Sequence, residues 1–464
     1  MLPIPLTRIA DIVGGNLHDA PDPMAIVDAP AVFDSREAQP GSLFIALRGE
    51  QADGHAYAPD AIASGAAAAL VTRPVGVPAI VVPDVLTALG RLAQHLVHQL
   101  NRTDVVAVTG SAGKTSTKDL IAHLLSDLAP TVATHQSFNN EIGLPVTISR
   151  ATQSTRYLVL EMGARGIGHI RDLTRIARPQ IAVVLNVGTA HVGEFGSRDN
   201  IAQAKGELVE ALPPGGLAVL NADDDLVHTM ATRTQARLVT FGQAPNSTIR
   251  AERVQLSDSG QPHFTLCTPE GAARVALQLV GEHHVSNAVA AAAVAREAGM
   301  RLDRIAARLA TATPQSRWRM ETTDRPDGVT VVNDAYNANP DSMAAALKAL
   351  AAMARGGRRA IAVLGEMREL GQDTRSAHEE VGTLAGKLGL DLVITIGGKE
   401  ARWLHDAVSA AGVSATHLAD QGAARELLNA SLRTGDVVLV KASRGAGLQT
   451  LAEALVQTDP SPAA

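Results

Sequence analysis

Short apolar runs alternate with helix-spaced segments along most of this chain. Val32-Phe33 and Leu43–Leu47 read as strands, with Pro40-Gly41 turning the chain between them, and Ala68–Val71 reads as a third. Residues 58–64 read as a short helix, and 86–100 carries apolar positions at helical spacing. From Val105 the order becomes strand, Gly-rich turn, helix: Val105–Val108 is apolar, and a helix is predicted through Leu125. Tyr157–Glu161, Ile181–Leu185 and Leu217–Leu220 are further predicted strands with helices between them. This order predicts an open, mostly parallel α/β sheet. Residues 238–279 are strand-rich, and an Ala-rich helix is predicted over 286–298, close against a neighbour. Beyond Pro314 the alternation restarts, with strands at Thr330–Val332, Ala360–Leu364, Leu392–Ile396 and Val437–Val440.

The pattern divides 464 residues into three α/β domains, 1–102, 103–313 and 314–464, in keeping with roughly one domain per 150 residues. At 46% hydrophobic and 19% charged residues, the composition is that of a globular protein and excludes a disordered chain. The net charge of −6 argues against a nucleic-acid binder. A single cysteine, Cys267, excludes an intrachain disulfide and fits a reducing compartment. No run reaches the ~18 apolar residues of a membrane span, and the N-terminal segment lacks the pattern of a signal peptide. Lysines number only seven against 34 arginines, so a lysine at a motif position invites a chemical reason.

One such lysine stands in Thr109-Gly110-Ser111-Ala112-Gly113-Lys114-Thr115-Ser116, between a strand and a helix. That context suits a phosphate-binding loop: glycines admit backbone N–H groups to phosphates, and the helix N-terminus adds partial positive charge. Lys114 would reach the terminal phosphates, and the Thr115 hydroxyl would ligate Mg²⁺. The spacing departs from the common form, since Val108 occupies the position of its first glycine. Glu161 ends an apolar strand, where a carboxylate can hold Mg²⁺. His191 follows the next strand as a ligand or proton-transfer group. Lys205 lies on a predicted helix; an ammonium there would repel Mg²⁺, so it must act in another form or touch phosphate. Together these groups point to phosphoryl transfer at a two-metal site.

At this point the chain resembles the Mur ligases, the ATP-dependent amide-forming enzymes of peptidoglycan assembly. The phosphate loop TGSAGKTSTK is shared, and Asn139–Pro145, Glu161–Ala164, Asp334–Met343 and Leu364–Gly371 are similar to the branch that adds D-alanyl-D-alanine. The resemblance implies three domains: a small N-terminal α/β domain that binds a UDP-sugar, a central ATPase-like parallel sheet, and a C-terminal Rossmann-like domain. It implies ATP and Mg²⁺ as cofactors. Its implied substrates are UDP-N-acetylmuramoyl-tripeptide and D-alanyl-D-alanine, joined through an acyl phosphate.

Residue by residue, Gly110, Ser111, Ala112, Gly113, Lys114, Thr115 and Ser116 would cradle ATP, joined by Asn287, Arg319 and Asp334. Thr115, Glu161, His191 and Lys205 would hold the metal ions, and Lys205 matches a lysine carbamylated by CO₂ in several members. Ser35, Arg36, Asp53, His55, Asn139 and Asn140 would contact the UDP-linked substrate. A cytoplasmic monomer is expected. The selection motif Asp-Asn-Pro-Arg of the diaminopimelate-adding branch is absent from the C-terminal part. A folylpolyglutamate synthase shares the central domain but fits 139–145 and 334–343 poorly. A non-catalytic nucleotide-binding regulator would need neither His191 nor Lys205.

Overall fold

The structure, a computed structural model, describes residues 1–49, 52–189 and 192–457. Three sheets carry the architecture. The N-terminal sheet has five strands in the order Asn16–His18, Ala79–Val81, Ala68–Val71, Leu43–Ile45, Ala31–Val32, parallel except for the first pair. The strand expected at Val32-Phe33 lies one residue earlier, because Phe33 points partly into solvent.

The central sheet has nine strands. Six are parallel neighbours, in the order Ile249–Leu256, Arg237–Gly242, Leu217–Asn221, Ile181–Val184, Asp104–Thr109 and Tyr157–Glu161, with the parallel edge strand Thr131–Ala133 beyond. Two antiparallel strands, Pro262–Thr268 and Gly271–Ala276, extend the other edge. Successive residues of the inner strands serve opposite faces: Val105 and Ala107 join one core, Val106 and Val108 the other. Both faces are therefore covered, as buried parallel strands require.

On one face the helix His283–Glu297 packs against the helix Lys114–Leu125. Residues Ala288 to Ala295 of the first are fully buried. Being apolar on every side, this helix can only be internal, and its alanines let the neighbouring backbone come close. The opposite face shares one continuous core with the N-terminal domain. Leu6, Ile9, Leu43, Leu70 and Leu89 belong to the same cluster as Leu144, Leu160 and Ile170.

The C-terminal sheet has six strands: Glu321–Asp324, Thr330–Asn333, Val437–Lys441, Ala360–Leu364, Leu392–Ile396 and Ala415–Leu418. Only the first pairing is antiparallel. Its two cores are built from Met320 and residues beyond it, apart from Val280. It meets the central domain mainly through polar contacts, described below. Among the described residues no helix is long and apolar enough to cross a membrane.

Candidate active site

The strand Asp104–Thr109 delivers the chain into Gly110–Gly113, and the helix begins at Lys114. Gly113 has φ of +80°, and a Cβ there would lie 2.6 Å from Asn287 Oδ1. Glycine is needed both for the left-handed backbone and for the close approach. Lys114 folds back over the loop, its Nζ donating to Gly110 O at 2.7 Å.

The loop is clasped by the end of the next strand. Ser111 N donates to Asn186 O at 3.1 Å. Ala112 N donates to Asn186 Oδ1 at 2.9 Å, Asn186 Nδ2 to Ala112 O at 3.1 Å, and Gly188 N to Ser111 Oγ at 2.9 Å. The loop is thus held in shape by the protein itself, the preorganisation an anion cradle needs.

Glu161 sits at the carboxyl end of its strand and is buried. Thr115 Oγ1 donates to Glu161 Oε2 at 2.8 Å, and Asn139 Nδ2 donates to Glu161 Oε1 at 2.7 Å. Ser137 Oγ lies 2.9 Å from Thr115 Oγ1 and accepts from Arg319 Nη2 at 2.7 Å. Lys118 steadies this edge by donating to Thr134 O at 2.7 Å, while Thr134 Oγ1 accepts from Glu161 N at 3.1 Å. A buried carboxylate beside two hydroxyls is a hard-oxygen donor set. It suits Mg²⁺, which takes one or two carboxylates together with phosphate and water. Among the described residues no group of three or more His, Cys, Asp or Glu side chains gathers as a metal cage.

Lys205, on the helix Arg198–Glu210, is buried rather than solvated. Burial, with the Lys114 ammonium nearby, pushes its pKa well below the ordinary lysine range. Burial also lowers the Lys114 pKa, opposed by Glu161 and assisted by Arg319. His191 lies outside the described residues.

Arg319 reaches this site from the C-terminal domain. Its guanidinium lies 4.3 Å from the Tyr336 ring centroid, and its Nε is buried without a partner. Such an unfilled donor fits a site meant for an anionic ligand. Asp334 faces inward: Oδ2 accepts from Lys441 Nζ at 2.6 Å and Oδ1 from Met320 N at 3.1 Å. Asn287 Oδ1 accepts from Thr117 Oγ1 at 3.2 Å, which places Asn287 against the loop. Ser116, His284 and Arg319 line a cleft between the two packed helices and the connection 312–316. Ser316 Oγ, on that connection, donates to Asp119 Oδ2 at 2.7 Å.

The expected UDP-substrate residues divide into two places. Asn139 lies beside Glu161, and the next residue, Asn140, accepts from Gly143 N through Oδ1 at 2.9 Å, just ahead of the helix Gly143–Ser149. Ser35, Arg36, Asp53 and His55 lie in the N-terminal domain. Arg36 pairs with Asp34 and holds that carboxyl down at about 2. Asp53 accepts from Arg73 and from His55 N, and its pKa falls for that reason. His55 Nε2 accepts from Thr72 N at 2.9 Å, so Nδ1 is the protonated nitrogen and donates to Asp53 Oδ1 at 2.6 Å. Ser35 opens the 3₁₀ turn Ser35–Glu37.

Sequence reasoning did not assign roles to Ser137, Asn186 or Lys118. Asn186 carried a usable signal, a polar residue just past a buried strand end; Ser137 carried none.

Comparison with known proteins identifies the family. The model of the Mur ligase middle domain matches residues 108–295, that of the Mur ligase glutamate ligase domain 318–444, and that of the Mur ligase family catalytic domain 32–97. The UDP-N-acetylmuramoyl-tripeptide–D-alanyl-D-alanine ligase of Mycobacterium tuberculosis is 46% identical, over 99% of both chains. Its Escherichia coli counterpart is 37% identical, over 98% of this chain and 99% of the relative. The crystal structure of MurF from Acinetobacter baumannii is similar with a TM-score of 0.86 at 30% identity, covering 98% of this chain and 99% of that one. MurF ligase from Thermotoga maritima in complex with ADP gives a TM-score of 0.79 at 29% identity, covering 92% and 97%. Three domains in family order, a clasped phosphate loop, and full-length identity well above the threshold of coincidence converge: this chain belongs to the Mur ligase family.

Proposed function

We propose that the protein is an ATP-dependent ligase that joins D-alanyl-D-alanine to the terminal carboxylate of UDP-N-acetylmuramoyl-tripeptide, yielding the pentapeptide precursor of peptidoglycan, ADP and phosphate. The observation that carries this reading is the meeting of Lys114, Thr115 and Glu161 with Arg319 of the C-terminal domain, in a chain matched end to end by D-alanyl-D-alanine ligases of this kind.

Gly110–Ser116 hold the ATP phosphates through backbone N–H groups and the helix N-terminus. Lys114 and Arg319 meet the negative charge that spreads over the γ-phosphoryl group during transfer. The tripeptide carboxylate attacks γ-phosphorus, ADP leaves, and an acyl phosphate results. The neutral amine of the dipeptide then attacks the carbonyl carbon, and phosphate departs from the tetrahedral intermediate. Thr115 Oγ1 and Glu161 would hold Mg²⁺, with His191 and Lys205 completing its surroundings; the ion supplies charge neutralisation at the phosphates. Asn139 orients the Glu161 carboxylate.

Lys205 is a carbamylation site in this reading. A buried, neutral amine adds to CO₂, loses a proton and becomes a carboxylate, which turns repulsion of the metal into ligation. Asn287 serves the nucleoside, and Asp334 reaches ATP from the C-terminal domain. Ser35, Arg36, Asp53, His55 and Asn140 position the UDP-linked substrate, His55 by bracing Asp53. The domains are 1–102, 103–313 and 314–464, supported by the separate sheets and by the spans of the three family matches. The enzyme acts as a cytoplasmic monomer.

The test is phosphate release from ATP and Mg²⁺ with UDP-N-acetylmuramoyl-tripeptide. D-alanyl-D-alanine, diaminopimelate and glutamate are compared as amines. Release that requires the dipeptide, with a pentapeptide product by mass, is expected. Equal release with another amine, or none with any, would overturn the assignment.

A further inference from the structure

The segment 186–189 joins the central domain to the C-terminal domain through main-chain hydrogen bonds. Asn186 and Gly188 bind the phosphate loop, as described. Val187 N donates to Asp224 Oδ2 at 2.8 Å, and Val187 O accepts from Arg198 Nε at 2.9 Å. The next backbone donor, Thr189 N, leaves the domain: it donates to Asp341 Oδ2 at 3.1 Å, across 152 residues of chain.

Asp341 stands in the first turn of the helix Pro340–Met353, two residues after its capping residue Asn339. Its carboxylate lies so close over Gly188 that a Cβ at position 188 would collide with Asp341 Oδ2. Position 188 is thus shaped by its contacts on both sides, with Ser111 below and Asp341 above.

A second contact lies on the same seam. Gly193 N donates to Glu369 O at 3.3 Å, and Gly193 and Gly371 touch so closely that a side chain on either would collide with the other's backbone. Asp341 is exposed, so its bond can break and re-form without desolvating a charge each time. Seen from the phosphate loop, the path is short: Ser111 Oγ, Gly188 N–H, the 188–189 peptide, Thr189 N–H, Asp341.

We propose that Asp341 is a positioning residue that locks the C-terminal domain onto the phosphate loop when nucleotide is bound, through the Gly188–Thr189 segment. The proposal rests on the ligase reading above. Nucleotide phosphates dock on the loop that Asn186 and Gly188 already hold in shape, the 188–189 peptide is presented in register, and Asp341 accepts its N–H. Arg319, carried by the same domain, is then held over the phosphoryl group. Asp341 acts on the chemistry through Arg319 and does not touch the reacting atoms.

The separation of roles is measurable. In the D341A variant, kcat should fall roughly tenfold, the worth of a charge-assisted hydrogen bond. Its KM for ATP should stay within about twofold, since the phosphate loop is intact. D341N keeps an acceptor oxygen and should retain most of wild-type kcat. G188A should be impaired, and adding D341A to it should cost little more, because both remove the same contact.

Small-angle scattering on the full chain, with Mg²⁺ and a non-hydrolysable ATP analogue, reads closure without turnover. The wild type and D341N should become more compact and D341A should compact less, with all melting temperatures recorded to confirm folding. Wild-type compaction and kcat in D341A, or equal losses in D341N and D341A, would overturn the latch. Absence of dipeptide-dependent turnover in the wild type would instead overturn the ligase reading, while the scattering comparison would still report on the latch.

Discussion

Lysine is scarce in this chain, and the structure places three of the seven, Lys118, Lys205 and Lys441, in the interior. An interior ammonium is costly without partners. Lys118 meets Thr134 O and Asp119, and Lys441 meets Asp334 and Asn337 O. Lys205 instead faces burial and a like charge, which favours the neutral amine. Replacing it with alanine should lower turnover by about a hundredfold, with partial recovery on adding a short carboxylate; full activity in that variant would exclude an essential carbamate. A Lys114→Ala variant should lose about a hundredfold to a thousandfold in kcat while keeping its melting temperature, and near-normal turnover would remove the phosphate-loop assignment.

His283 and His284 form a second unfavourable place for charge. Burial lowers both, His283 to about 4, with Asp334 opposing and Lys441 assisting. Unfolded histidine binds its proton near its ordinary value, so between that pH and about 4 the unfolded chain holds more protons than the folded one. Stability is therefore fully present above the ordinary histidine range and is lost as pH falls toward 4, about 3 kcal/mol from His283. Melting curves from pH 7.5 to 4 should show the drop, and a His283→Gln variant should make it shallower, with His284 carrying the rest. An unchanged slope in that variant would place the pH sensitivity elsewhere.

At the scale of elements, the central strands were legible because they are buried on both faces and read as unbroken apolar runs. Tyr157–Glu161, Ala360–Leu364 and Leu392–Ile396 match the sequence reading to the residue. Three strands left no such mark. Thr131–Ala133, Glu321–Asp324 and Ala415–Leu418 sit at sheet edges and are only half covered, so no apolar run or clean alternation announces them. The Ala-rich helix was legible for the opposite reason: small apolar residues on every side suit only a tightly enclosed helix. An Ala291→Leu change should overfill its contact with the phosphate-loop helix and cost about 1–3 kcal/mol, read as a lowered denaturation midpoint at unchanged m-value.

The site was legible as far as local motifs reach. Gly110–Ser116 and Glu161 announce themselves by standing at strand ends. The partners that complete the site do not: Asn186 clasping Ala112, Ser137 bridging Thr115 to Arg319, and Asp341 meeting Thr189 all act across long stretches of sequence. Each is a polar residue whose purpose depends on what folds against it.

The whole molecule divides unevenly. The N-terminal and central domains share one continuous core, while the C-terminal domain keeps cores almost entirely its own. At the site it meets the central domain through individual hydrogen bonds: Arg319 and Ser316 donate, and Asp341 and the Glu369 carbonyl accept. Such a boundary can open at modest cost, whereas separating the other two domains would expose buried apolar surface. The domain that moves is then the one carrying Arg319, and closure both completes the charge around the phosphoryl group and shields a water-sensitive acyl phosphate.

That acyl phosphate is the central chemical claim, and oxygen-18 in the terminal carboxylate of the tripeptide substrate tests it most directly. Attack by that carboxylate on γ-phosphorus leaves one of its oxygens bridging carbon and phosphorus. Amide formation then expels the labelled oxygen with the phosphate. With ATP, Mg²⁺ and D-alanyl-D-alanine, the account predicts oxygen-18 in the inorganic phosphate, in step with pentapeptide formation. Pentapeptide accompanied by unlabelled phosphate would contradict it.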